Sequence, residues 1–172
     1  VFCDGAEPSS LINDLLEVAA QFAALTGREY GLFEAYRMED AEIALVLIGS
    51  SAGTAKVTVD ALRARGIPAG LVKIRVFRPF PAEELAQTLK NVKALAILDK
   101  AESFSAQGGP LFAEVRAALY DLEPRPRTVG YVYGLGGRDI TPAHFASVFA
   151  RLEAIAAGGE LGPVYSHLGQ RG

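Results

Sequence analysis

Tryptophan is absent from this sequence, cysteine and methionine occur once each, and histidine occurs twice. The lone Cys3 can neither close an internal disulfide nor hold an iron–sulfur cluster, which takes about four thiolates. His144 and His167 are isolated from each other and from the cysteine, so no zinc-type ligand cluster is present. No apolar run approaches the roughly 18–20 residues that span a bilayer, and membrane insertion is excluded on that ground. Positive charge is sparse as well: 17 Lys and Arg stand against 20 Asp and Glu, for a net charge of −3. Without a basic stripe, or aromatics interleaved with bases, nucleic-acid binding is excluded. A single thiol points to a reducing, cytoplasmic setting.

What remains is a core-forming composition. Half of the 172 residues are hydrophobic and 22% are charged, enough to close one domain. The opening Val1-Phe2-Cys3-Asp4-Gly5 carries no initiator Met and no leader signature, and reads as the interior of a longer chain. Apolar residues at three- and four-residue spacing predict a helix over 8–25, with Ser9 and Ser10 as N-cap candidates and Gly27 as its stop. The aromatic stretch 30–36 is either an edge strand or an extended connector. Ile43 to Ile48 is a continuous apolar run, the pattern of a strand buried on both faces. Further strands are expected at 69–76, 94–98 and 128–133. Helices are expected at 54–65, 82–90, 110–120 and 142–155, the third of them starting at Pro110 and the last at Thr141-Pro142. Residues 160–172 show no periodicity and read as an arm or an interface segment.

Strands alternating with helices predict an α/β three-layer sandwich with a mostly parallel sheet and right-handed crossovers. Residues 1–29 form a helix and lead-in that could pack back on the sheet, 30–157 the α/β domain, and 158–172 a tail. In such sheets ligands bind beyond the strand carboxyl ends, which selects four loops. Gly49, Ser50 and Ser51 begin a strand-to-helix turn that either receives an anion or is a plain Ser-capped turn; it matches neither the phosphate-loop nor the dinucleotide fingerprint. Arg75 and Arg78 either clamp an anion or bridge to local acids. Asp99 and Lys100 begin a polar loop that reads as an interface contact, with Asp99 and Glu102 as a less favoured acid/base pair. Gly136, Gly137, Arg138 and Asp139 form an ordered turn, pinned by an ion pair within it or to a neighbour. No G-x-S-x-G elbow supports a Ser-His-Asp triad.

Four segments together are more specific than α/β patterning: Ile48-Gly49-Ser50; Gly70-Leu71-Val72-Lys73-Ile74-Arg75-Val76-Phe77-Arg78-Pro79-Phe80-Pro81; Ala96-Ile97-Leu98-Asp99-Lys100; and Gly134-Leu135-Gly136-Gly137-Arg138-Asp139-Ile140-Thr141. In this order they resemble the C-terminal domain of the alpha chain of pyruvate:ferredoxin and other 2-oxoacid:ferredoxin oxidoreductases, from about Thr26 to Arg151. The resemblance implies a fold like the C-terminal domain of transketolase, with an edge strand that runs antiparallel. It also implies a parent enzyme that decarboxylates a 2-oxoacid on thiamine diphosphate with Mg, passes electrons through iron–sulfur clusters to ferredoxin, and forms an acyl-coenzyme A. The family's Gly-Asp-Gly diphosphate motif and cluster cysteines are missing here, so the resemblance implies no catalytic residue and no cofactor bound by this chain alone. Its partners would be other domains or subunits of that enzyme. Two rivals stand beside it: the equivalent domain of a 2-oxoacid dehydrogenase or transketolase, and an independent small-ligand or nucleotide-binding module using residues 49–54.

Overall fold

The computed structural model describes residues 8–104 and 107–170; residues 1–7 (with Cys3), 105–106 and 171–172 lie outside the described residues. The elements run α1 (Pro8–Thr26), β1 (Phe33–Tyr36), β2 (Ile43–Ile48), α2 (Ala52–Arg63), β3 (Ala69–Ile74), α3 (Ala82–Leu89), β4 (Ala94–Asp99), α4 (Pro110–Ala118), β5 (Arg127–Tyr133), a 3-10 turn (Leu135–Gly137), α5 (Pro142–Ala156) and β6 (Tyr165–Leu168). They form one six-stranded sheet in the order β1-β3-β2-β4-β5-β6. Only β1 is antiparallel, pairing Phe33 with Ile74 and Tyr36 with Leu71; the other neighbours are parallel. Residues 30–36 therefore supply the antiparallel edge strand.

Alternation along the central strands splits the apolar residues between two cores. Leu45, Leu47, Leu71 and Leu98 pack under α2 and α5, against Val59, Phe145 and Phe149. Val46, Val72, Leu95 and Ile97 pack under α3 and α4, against Leu85, Leu89, Phe112 and Val115. Because both faces are covered, β2 and β4 read as unbroken apolar runs. At about 1.5–3 kcal/mol for each large apolar side chain fully buried, these two layers are the main favourable contribution to folding.

The hand of the crossovers is not uniform. The steps β2 to β3, β3 to β4 and β4 to β5 place α2, α3 and α4 as one common hand requires. The step β5 to β6 continues in the direction of β4 to β5, yet α5 lies on the opposite face from α4. That last connection therefore has the opposite hand, a correction to the right-handed expectation. Phe145, Val148, Phe149, Leu152 and Ile155 hold α5 over the sheet beside α2.

Within the tail, β6 adds a parallel strand beside β5 over Tyr165–Leu168. Its position is set at a distance: Arg151 donates to Tyr131 Oη (2.7 Å) and to the carbonyls of Leu161 (2.7 Å) and Pro163 (2.5 Å). Arg127 likewise donates to the carbonyls of Ile155 (3.1 Å) and Gly159 (2.6 Å). At the other end, Ser9 and Ser10 lie inside the first turn of α1 and do not precede it, and among the described residues no strand or helix makes more than slight contact with α1.

Gly130, in the middle of β5, is where α4 and β6 meet the sheet most closely. A Cβ there would lie 2.6 Å from both the Phe112 and the Tyr165 rings, which themselves pack with centroids 5.6 Å apart. Gly130→Ala is expected to cost about 1–3 kcal/mol through overpacking, read as a lowered urea midpoint with an unchanged m-value.

Candidate functional site

The chain steps from β2 to β3 on one side and then from β3 across to β4 on the other, so the sheet has its topological switch between β2 and β4. Carboxyl ends at such a switch frame a crevice. All four loops chosen from the sequence follow the parallel strands β2, β3, β4 and β5 and gather along that edge.

At the end of β2, Gly49 takes φ +92° and lets the chain turn into α2, leaving Gly49 and Ser50 exposed. Ser51 occupies the N-cap position, but its backbone is helical and its hydroxyl makes no capping bond. It is buried beside Tyr133, so the expected Ser cap is not formed.

The end of β4 is organised by Asp99, which is only 5% exposed. Its Oδ1 accepts the Leu111 N–H and its Oδ2 the Phe112 N–H, each at 2.9 Å. These are the first free amides of α4, because Pro110 at the first position has none to offer. The carboxylate thus caps α4 from across the sheet edge and complements its positive end. A Cβ at Gly109 would lie 2.3 Å from Asp99 Cγ, so glycine is required there to admit the carboxylate. Burial pushes the Asp99 carboxyl above its ordinary range, while the two amide bonds pull it partly back.

Both oxygens of Asp99 are thus engaged by the start of α4, while Glu102 meets His167 Nε2 at 2.5 Å. The Tyr133 and Tyr165 hydroxyls are buried and, among the described residues, make no hydrogen bond of normal geometry, with Ser51 close to the first and the Gly109 backbone close to the second. Burial is the first cause that raises both phenols, and the charge of Asp99 adds to it; Ser51 lowers Tyr133 in part, and the Gly109 backbone does the same for Tyr165.

Lys100 is exposed, with Nζ 5.5 Å from the Tyr133 ring centroid. In the turn after β5, Gly134, Gly136 and Gly137 have φ of +67°, +68° and +75°. Open space surrounds the Cβ positions of Gly136 and Gly137, so glycine is needed there for the backbone conformation and not for packing. Arg138 donates to the Gly169 carbonyl at 3.1 Å. Among the described residues it forms no ion pair with Asp139, which is exposed. The turn is thus pinned to the tail by a main-chain acceptor. Between the two lies a cleft of about 650 Å³, lined in part by Tyr133, Leu135, Arg138 and His167.

The two arginines after β3 are both engaged locally. Arg75 donates to Glu34 at 3.0 Å and lies over the Tyr30 ring; Arg78 donates to Glu114 at 2.6 Å and lies over Phe77. Both bridge to local acids, and the Arg78 side chain stays 60% exposed. Sequence reading missed Tyr133, which faces α2 and α5, and Tyr165 and His167, which lie on the opposite face of the sheet and are placed only when β6 docks. It also missed the exposed apolar Ile48, Phe104 and Leu135 along the same edge. The two-residue step from Tyr165 to His167, which puts both on one face of a strand, was the available signal.

Two outcomes follow. The folded-state pKa of Asp99 is raised above its unfolded value, so the folded protein binds the proton more tightly; the ionised group opposes folding, and that opposition grows as pH rises from the unfolded pKa through the folded one. Asp99→Asn is therefore expected to lose stability relative to wild type at pH 4 and to recover part of the difference by pH 7, measured by urea unfolding across that range. Tyr133→Phe is expected to be neutral or stabilising by up to about 1 kcal/mol, because it removes a buried hydroxyl that makes no hydrogen bond of normal geometry. A loss above about 2 kcal/mol in the same assay would show that the hydroxyl is satisfied.

Residues 41–145 match the family described as pyruvate:ferredoxin oxidoreductase core domain II. The pyruvate synthase subunit PorA of Methanothermobacter thermautotrophicus is 49% identical over 133 residues, covering 77% of this chain and 33% of that protein. The chain thus spans about a third of the length of such curated relatives. Among solved structures, the 2-oxoglutarate:ferredoxin oxidoreductase of Magnetococcus marinus superposes with a TM-score of 0.52 at 19% identity, over 88% of this chain and 24% of that one. A split-gene transketolase gives the same TM-score of 0.52 at 21% identity, over 66% of this chain and 39% of that one, and shows the fold alone. By the match over residues 41–145, the chain belongs to the pyruvate:ferredoxin oxidoreductase core domain II family.

Proposed function

We propose that this chain is a non-catalytic domain of a thiamine diphosphate-dependent 2-oxoacid:ferredoxin oxidoreductase, and that it positions the parts of the enzyme that decarboxylate a 2-oxoacid, with pyruvate the favoured substrate, and form acyl-coenzyme A. One observation carries the reading: at the edge where an α/β sheet would bind a ligand, the buried acid Asp99 is spent on α4, while Ile48, Phe104 and Leu135 present apolar surface outward. Apolar side chains at an exposed edge suit a protein partner better than a small polar substrate. Lys100, Gly49, Ser50 and the 136–139 turn complete the proposed contact face.

The side chains present do not fit the cofactors of such an enzyme. The sequence has one cysteine, where a cluster takes about four thiolates. Among the described residues no group of three or more His, Cys, Asp or Glu is arranged to hold a metal ion. The iron–sulfur clusters and the Mg that accompanies thiamine diphosphate are accordingly assigned to other parts of the enzyme; coenzyme A belongs to the parent complex, and ferredoxin is reached through it. No helix of the described residues is long and apolar enough to cross a membrane, and a cytoplasmic enzyme is proposed.

Fixing the relative position of the reacting domains is itself a contribution to rate, since small misplacements are costly. In the enzyme prepared from the complete gene product with its co-purifying partners, Phe104→Glu and Leu135→Glu are each expected to lower the yield of assembled complex at least about tenfold, equivalent to about 1.4 kcal/mol. The KM for the 2-oxoacid in the complex that does form should be unchanged. Full assembly with a raised KM would instead place these loops at the substrate.

A further inference from the structure

The helix α1 carries more apolar surface than its own domain covers. Leu11, Leu15, Val18, Phe22 and Leu25 succeed one another at alternating four- and three-residue steps, and all five are exposed, Val18 at 62% and Leu25 at 86%. That alternation is the seam of a helix that packs against another helix. Its tie to the domain is narrow: the Phe22 ring meets Tyr30 at 5.7 Å, and Tyr30 is in turn covered by Arg75. Between α1 and the wall formed by Leu32 and Val76 lies an open apolar groove of about 450 Å³. An uncovered helix of this length is marginal in water, so the seam requires an occupant.

We infer that α1 is one half of a helix–helix contact whose other half is an amphipathic helix from another part of the same polypeptide. This rests on the family reading, in which the matched stretch is 33% of the pyruvate synthase subunit and the remainder of such a chain is available to cover α1. Size decides against a second copy of this chain. Stable free partners bury about 20–30 residues a side, and the six exposed large apolar side chains of α1, Leu16 among them, fall far short of that. Within one polypeptide the partner is already held at high effective concentration, so a small seam suffices. Charge fixes the rim of the occupant: it is basic where it meets Asp14, beside the first half of the seam, and acidic where it meets Arg28, which lies over Phe22 beyond the helix end.

The test uses the complete gene product. Hydrogen exchange of the unmodified protein is expected to show the amides of residues 15–25 at least about 1,000-fold slower than an unstructured peptide. Photolysis of a Val18→p-benzoylphenylalanine variant is expected to join position 18 to a segment of the same chain outside these 172 residues. Exchange within about tenfold of the unstructured rate overturns the inference and leaves the family reading standing. A crosslink from position 18 to position 18 of a second copy overturns it in favour of self-association. A gene product with no further chain overturns both the inference and the reading on which it rests.

Discussion

The buried carboxylate of Asp99 is the constraint on which the carboxyl edge of the sheet depends. It closes β4 and starts α4 at once, accepting the two amides that Pro110 leaves exposed at the helix entry. Gly109 has no side chain because the carboxylate fills the space one would need. With the start of α4 fixed, Phe112 falls over Gly130, and Tyr165 of β6 closes against Phe112. A single buried carboxyl, whose ionised form burial disfavours, thus sets the place of one helix and one strand. Its desolvation is tolerated because two charge-assisted hydrogen bonds are made in return.

That arrangement bears on function. An open α/β sheet offers a ligand site where its strand order reverses, and here the acid nearest the reversal is already satisfied by its own backbone. Arg75 and Arg78 are engaged by Glu34 and Glu114, and Arg138 by the Gly169 carbonyl. The chemistry-bearing side chains of the edge mostly hold the domain together, and what the edge offers outward is Ile48, Phe104, Leu135 and Lys100. Membership of the core domain II family and the proposed role of a positioning domain agree with that distribution.

Much of the fold is legible in the sequence because its strands are covered on both faces. The runs at Ile43–Ile48 and Ala94–Asp99 need no alternation to be recognised, and Thr141-Pro142 marks the start of α5 plainly. The last strand is not legible, because Tyr165–Leu168 is four residues long and is placed by Arg127 and Arg151 reaching to distant carbonyls. The hand of the final crossover escapes for the same reason: α5 is drawn over the sheet beside α2 by packing that only the folded chain reveals. Within the candidate site, the glycine turn at 134–137 is readable from composition, but the partner of Arg138 is not. Asp99 at a strand end reads as a surface charge until the start of α4 is seen to face it. The periodicity of α1 is likewise visible, whereas the exposure of its seam among the described residues is a property of the three-dimensional structure alone.

The central claim is that this domain serves a 2-oxoacid:ferredoxin oxidoreductase. Its most direct test is viologen reduction by the complete gene product, purified with its partners and supplied with a panel of 2-oxoacids, thiamine diphosphate and coenzyme A. The account predicts reduction that requires a 2-oxoacid and is lost when thiamine diphosphate or coenzyme A is withheld. A folded, fully assembled preparation that reduces no acceptor with any 2-oxoacid, while this domain binds a phosphate-bearing ligand unaided, would contradict it.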